Sequence, residues 1–249
     1  MAGRLVIIGA GQAGFALAAK LRALKDERPI TLLGSEPCLP YQRPPLSKKY
    51  LLGEMSFDRL LFRPQAWYEE NNVDIRLSTP VEAIDREART VRLFDGSAIT
   101  YDTLVFATGA TPRRLPSQIG GDLDGVYTAR DKADADRLAD EMKAGRRLLI
   151  VGGGYIGLEA AAVARKLGLD VTLIEMADRV LARVAAKETA DAMRAIHQAE
   201  GVVIRENTGL KRLIGEDGRV KAAELSDGSV IDVDLVIAGI GVVPNDRIA

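Results

Sequence analysis

The sequence predicts an α/β protein of two parallel-sheet domains, the second inserted in the first. Residues 4–36 and 147–175 share one plan: an apolar run, a glycine cluster, a helix-like stretch, then a second apolar run that ends in an acid. Residues 90–112 and 222–244 share another plan, and one copy of it follows each copy of the first. The 249 residues suit one to two domains of ordinary size with a buried core.

The first copy reads RLVIIGAGQAGFALAAKLRALKDERPITLLGSE and the second RLLIVGGGYIGLEAAAVARKLGLDVTLIE. In the second, Ile156, Ala160, Val163, Ala164 and Leu167 recur at helical spacing. Gly168 suits the end of that helix, and Val171 to Ile174 read as a buried strand. Strand, helix and strand in this order make a parallel sheet with a right-handed crossover. The second plan is TVRLFDGSAITYDTLVFATGATP at 90–112 and AAELSDGSVIDVDLVIAGIGVVP at 222–244. Each has a strand, a turn at Asp95-Gly96 or Asp227-Gly228, a returning strand, and an apolar strand ending in small residues and proline. A β-meander and an apolar strand therefore close each unit. The expected boundaries are 1–112, 113–236, and a return to the first domain over 237–249.

The formal net charge of -1 gives no sign of a nucleic-acid partner or an anionic membrane. The single cysteine, Cys38, excludes an internal disulfide and fits a reducing compartment. No apolar run is long enough to span a bilayer, and with the first strand candidate starting at Arg4 no secretory signal is expected. A cytoplasmic setting with no membrane partner is expected.

Gly9, Gly11 and Gly14 form G-x-G-x-x-G between a strand and a helix, and Gly152, Gly154 and Gly157 repeat it. The first glycine permits a tight turn, the second lets backbone approach a pyrophosphate, and the third lets helix and strand pack closely. The helix N-terminus then offers free N–H groups to the phosphates. Glu36 and Glu175 close the two units where a carboxylate would accept from a ribose diol. Two Rossmann-like dinucleotide-binding domains are therefore expected. Glu175 favours NADH over NADPH, because a carboxylate there would repel a 2′-phosphate. Arg179, four residues on, reads as a solvated surface charge.

The segments GAGQAG, PYQRPPLSK (Pro40 to Lys48), FATGATPR (Phe106 to Arg113), GGGYIGLE (Gly152 to Glu159) and GIGVVPN (Gly239 to Asn245) together resemble the ferredoxin-reductase branch of the two-dinucleotide flavoproteins. That branch is glutathione-reductase-like in fold and includes putidaredoxin reductase-like proteins and the reductase components of ring-hydroxylating dioxygenases. The resemblance implies FAD on the first fingerprint and NADH on the second. It places Gly9, Gly11, Ala13 and Gly14 at the FAD pyrophosphate, and Ser35 and Glu36 at its adenosine ribose. Val81 would hold the adenine edge, Thr108 and Gly109 would lie under the phosphates, and Arg43, Lys48 and Arg130 would approach the flavin. On the NADH side it implies Gly152, Gly154, Tyr155, Ile156, Gly157, Glu159, Glu175 and Gly241. Val81 and Ile156 equally suit core packing, Tyr155 suits an ordinary packed tyrosine, and Arg130 suits a surface salt bridge. Lys48 alone would read as a solvent-facing loop lysine. The resemblance instead pairs it with Glu159 beside flavin N5, where a hydride arrives from the nicotinamide.

Related flavoproteins that use a redox thiol carry either C-x-x-x-x-C or one cysteine about ten residues past the first acid. Here Cys38 lies two residues past Glu36, so it reads as an inert small residue. Without a thiol acceptor, electrons would leave the flavin for an external carrier. The lone His197, in AMRAIHQAE, is a poor candidate for metal or acid–base work, and no metal is expected. The resemblance therefore implies an NADH:ferredoxin oxidoreductase that feeds a two-iron ferredoxin serving a cytochrome P-450 type or dioxygenase system. A rubredoxin or nitrite-reductase-associated NADH reductase, and a redox signalling protein of the apoptosis-inducing-factor kind, are the alternatives. Relatives continue with a Gly-Asp motif that binds FAD and a C-terminal domain. This chain stops before both, so a longer parent protein is expected.

Overall fold

The computed structural model describes residues 3–249. They divide into two compact units. Unit 1 takes the chain up to Gln42, then Phe57–Thr111 and Pro244–Ala249; unit 2 takes Arg43–Ser56 and Pro112–Val243.

In unit 1, β1 (Leu5–Ile8), α1 (Gln12–Ala23) and β2 (Ile30–Leu33) form the first βαβ unit, followed by α2 (Gln65–Glu70) and β3 (Val73–Arg76). The meander is β4 (Val81–Asp85), β5 (Thr90–Leu93) and β6 (Ala98–Thr100), and β7 (Thr103–Phe106) and β8 (Ala110–Pro112) follow it. The main sheet runs β3-β2-β1-β7, all parallel. Both β1 and β2 are buried at all four positions, because both faces of this sheet are covered. Leu5 and Ile7 pack with Phe15 and Ala18 of α1, while Val6 and Ile8 pack with Val91, Leu93 and Ile99 of the meander. The period-two alternation of a strand thus sends neighbouring residues into separate cores.

Unit 2 repeats the arrangement. β9 (Val126–Tyr127) and α3 (Lys132–Glu141) precede the second βαβ unit, β10 (Arg147–Val151), α4 (Tyr155–Lys166) and β11 (Asp170–Ile174). Then come α5 (Lys187–Ala199), β12 (Val203–Arg205), the meander β13 (Leu210–Glu216), β14 (Arg219–Leu225) and β15 (Val230–Asp232), and finally β16 (Leu235–Ala238) and β17 (Val242–Pro244). The parallel sheet runs β12-β11-β10-β16-β9. Leu148 and Ile150 face the α4 side, and Leu149 and Val151 face the meander. The two Asp-Gly pairs form the expected hairpin turns, with Gly96 at φ 84° and Gly228 at φ 83°. Those angles suit glycine.

The division departs from the expected boundaries in two places. The return to unit 1 comes at Pro244 rather than 237, because β16 is a full member of the unit 2 sheet, with Ile237 paired to Tyr127. Arg43–Ser56, expected in the first domain, groups with unit 2 because Leu51 is buried in that unit's core beside Leu138 and Leu158. No helix among the described residues is long and apolar enough to cross a membrane.

Candidate functional site

The two glycine loops have the same internal logic. A Cβ on Gly9 would lie 2.0 Å from the Ala107 carbonyl oxygen, and one on Gly14 would lie 2.0 Å from that of Gly9. On Gly152 it would lie 2.5 Å from the Gly239 oxygen, and on Gly157 2.1 Å from that of Gly152. Close backbone packing thus requires the first and third glycine of each motif. The second is different: a Cβ on Gly11 or on Gly154 would meet nothing within 4 Å. Each of these residues caps a helix N-terminus in an extended conformation, with no side chain over the free N–H groups. The space above each helix end can therefore receive the phosphates of a dinucleotide, and FAD and NADH fit the two loops.

The acids lie just past the strands they were expected to close. Glu36 accepts a 2.6 Å bond from the Tyr41 hydroxyl. Glu175 Oε2 accepts from the Gly153 amide at 2.6 Å and so braces the glycine loop, while Oε1 accepts from the Ala177 amide at 2.8 Å in its own turn. Arg179 is half-buried and donates to the carbonyls of Ala182 and Ala185 at 3.2 and 3.1 Å, so it is more than a solvated surface charge. Those bonds turn its guanidinium toward its own loop.

In unit 2, Lys48 Nζ stands 2.7 Å from Glu159 Oε2. Ser47 Oγ donates to the same oxygen at 2.7 Å. The side chains of Lys48 and Glu159 are 48% and 33% exposed, so their attraction is screened by solvent. Beside them lies a cavity of about 250 Å³, lined mainly by apolar groups and by Arg43, Lys48, Arg130, Asp131, Ile156 and Glu159. Arg43 donates to the Arg130 carbonyl at 3.1 Å. The Arg130 amide donates to buried Asp134, which also accepts from Thr128 and Arg137. Five of the expected residues, Arg43, Lys48, Arg130, Ile156 and Glu159, thus share one cavity wall.

The other expected residues are spread along the two units. Ala13 lies in the first turn of α1, and Ser35 follows β2 beside Glu36. Val81 opens β4 opposite Leu93 and packs partly into the meander core. Tyr155 and Ile156 open α4 and are 58% and 40% exposed. Gly241 takes φ 96° and accepts from the Arg113 amide at 2.9 Å. Thr108 is held by a residue to which the sequence assigned no role. Thr108 Oγ1 donates to the Asn245 carbonyl at 2.6 Å, and Asn245 Nδ2 donates back to the Thr108 carbonyl at 3.0 Å. The Asn245 amide also donates to the Gly109 carbonyl at 3.0 Å. The signals for Asn245 and Ser47 were their places in GIGVVPN and PYQRPPLSK; Asp134 carried no comparable signal. Cys38 is half-buried, and no cluster of metal-binding side chains occurs among the described residues. His197 is buried in α5 with both ring nitrogens near carbonyl oxygens, those of Met193 and Leu158.

A family model described as pyridine nucleotide-disulphide oxidoreductase matches residues 3–249. The chain is 45% identical over 240 residues to a ferredoxin–NAD(P)(+) reductase from Sphingomonas sp, covering 96% of this chain and 58% of that protein. It is 43% identical over 245 residues to rhodocoxin reductase from Rhodococcus erythropolis, covering 98% and 57%. Among solved structures it resembles the covalent putidaredoxin reductase–putidaredoxin complex, with a TM-score of 0.96 and 39% identity over 99% of this chain and 60% of that one. The chain thus spans under two thirds of the length of these relatives.

Proposed function

Because the chain belongs to the pyridine nucleotide-disulphide oxidoreductase family, we propose that it is the two-nucleotide part of an FAD-containing NADH:ferredoxin oxidoreductase. The open space at Gly11 and Gly154, in two fingerprints of one chain, carries this reading. Unit 1 binds FAD and unit 2 binds NADH. When bound, FAD supplies the chemistry that takes a hydride from the nicotinamide and releases single electrons.

The protein's own groups orient and select. The helix ends hold the two pyrophosphates. Asn245 fixes the Thr108-Gly109 backbone under the FAD phosphates. Glu175 receives the NADH ribose and repels a 2′-phosphate, and Arg179, engaged with its own loop, offers that phosphate no partner. Lys48 presents a positive charge that favours negative charge on the reduced cofactor, and Glu159 and Ser47 hold it in place. Electrons pass to a two-iron ferredoxin of a P-450 type or dioxygenase system, as the names of the relatives suggest. A reducing cytoplasm is the proposed setting.

The test is NADH-dependent reduction of a two-iron ferredoxin, followed by its visible absorbance. NADH should give a higher kcat/KM than NADPH. Equal use of NADPH would overturn the role of Glu175. Preference for rubredoxin over every ferredoxin would move the protein to the rubredoxin reductases, and slow reduction of every acceptor would favour a signalling role.

A further inference from the structure

We infer that Tyr50 is a positioning residue for Lys48, through a bond that pins residues 43–56 to α3. The inference rests on the proposed role of Lys48. The Tyr50 hydroxyl donates to Asp136 Oδ1 at 2.6 Å, 86 residues away in sequence. Lys132 Nζ donates to the other oxygen of Asp136, also at 2.6 Å. Asp136 is thus a bracket: one oxygen is fixed to its own helix a turn earlier, and the other reaches the segment that carries Lys48. Leu51, buried in the unit 2 core, anchors the same stretch, and Glu54 adds a 2.6 Å ion pair to Lys166.

The segment needs such help because its own structure is slight. Its regular part is one 3-10 turn, Pro44–Ser47, and Lys48 follows as the cap residue. The Lys48 amide bonds to Pro45 and the Leu52 amide to Lys48, both at 3.0 Å, so Tyr50 sits inside a short run of turns. Side-chain bonds therefore help to set where the ammonium stands: Ser47 and Lys48 on Glu159, Lys48 on the Pro44 carbonyl, Arg43 on the Arg130 carbonyl, Tyr50 on Asp136, and Glu54 on Lys166. Burial pushes the Tyr50 phenol up from its ordinary pKa, and the bond to Asp136 adds to this, so the phenol remains a donor. Burial would raise the Asp136 carboxyl, but Lys132 and Tyr50 outweigh it and hold the carboxyl below its ordinary value.

Tyr50→Phe removes the bond and keeps the ring. Without FAD, backbone exchange at the Lys48 and Leu52 amides should rise by about tenfold or more, while exchange in α4 and β10 stays unchanged, as for local opening. With FAD, flavin reduction at saturating NADH should slow by about ten- to a hundredfold, the scale of an ångström-sized misplacement. Adding Tyr50→Phe to Lys48→Met should then slow reduction no further, because Tyr50 acts through that lysine. Unchanged exchange in Tyr50→Phe overturns the positioning role whatever the kinetics. Multiplicative losses in the double variant also overturn it. Faster exchange together with a normal rate in Lys48→Met instead overturns the assignment of the lysine.

Discussion

At Gly11 and Gly154 the protein leaves room that none of its own atoms fill. Alanine fits both backbones, so Gly11→Ala should leave the unliganded protein as stable or stabilise it by about 0.4–1 kcal/mol, through the unfolded chain. Its affinity for FAD should fall at least tenfold, which is about 1.4 kcal/mol. Gly14→Ala should do the reverse, unfolding unit 1 at lower temperature, since its Cβ would lie 2.0 Å from the Gly9 oxygen. Thermal melts and FAD titrations of the two variants separate these outcomes; equal FAD binding by Gly11→Ala and the unmutated protein would remove the basis for a phosphate site there. The glycines were legible in the sequence because their demands are local. Glu175 was legible as an acid at a strand end, but its bonds to Gly153 and Ala177 were not. The partners of Tyr50, Asp136 and Asn245 were hidden for a plainer reason: they lie 86 and 137 residues away, and no periodicity spans such a distance.

Among the elements, the central strands and the helices of the two βαβ units could be read from continuous apolar runs and helical spacing. The β9 strand has two residues, too few for any pattern, and was invisible. The end of α3 carries an acid-sensitive contact. Burial alone would raise the Glu141 carboxyl, but bonds from Arg146, Arg219 and Tyr127 outweigh it and hold it at about 2. Arg219 lies on β14 and donates at 2.5 Å, so the carboxylate ties helix to meander. A lowered carboxyl contributes stability above its unfolded pKa and loses it as pH falls through the folded one. Glu141→Gln should therefore cost on the order of 2 kcal/mol near neutrality, after allowance for partial exposure. Between roughly pH 5 and pH 2 that cost should shrink toward zero as the unmutated protein loses the same contribution. Denaturant melts at both ends of this range check it; a cost independent of pH would show that the ion pairs are not its source.

For the molecule as a whole, each fingerprint is built entirely from one unit. Binding of ADP-ribose, which lacks the nicotinamide, should therefore survive Gly11→Ala with its Kd within about twofold, since sites that share no partners behave additively. Calorimetric titration of that variant measures this, and loss of ADP-ribose binding would mean that the second site depends on the first. The duplication was readable from the sequence, but the excursion of residues 43–56 was not, because it interrupts neither copy of the repeat. That excursion has a consequence for transplanting the fold. A graft of residues 112–243 into another scaffold would carry the second glycine loop and Glu175. It would also carry Glu159 without its lysine, and a core with a hole where Leu51 belongs. The module that travels whole is discontinuous in the gene, so recombination at the ends of the repeat would separate the charge from the nucleotide loop it accompanies.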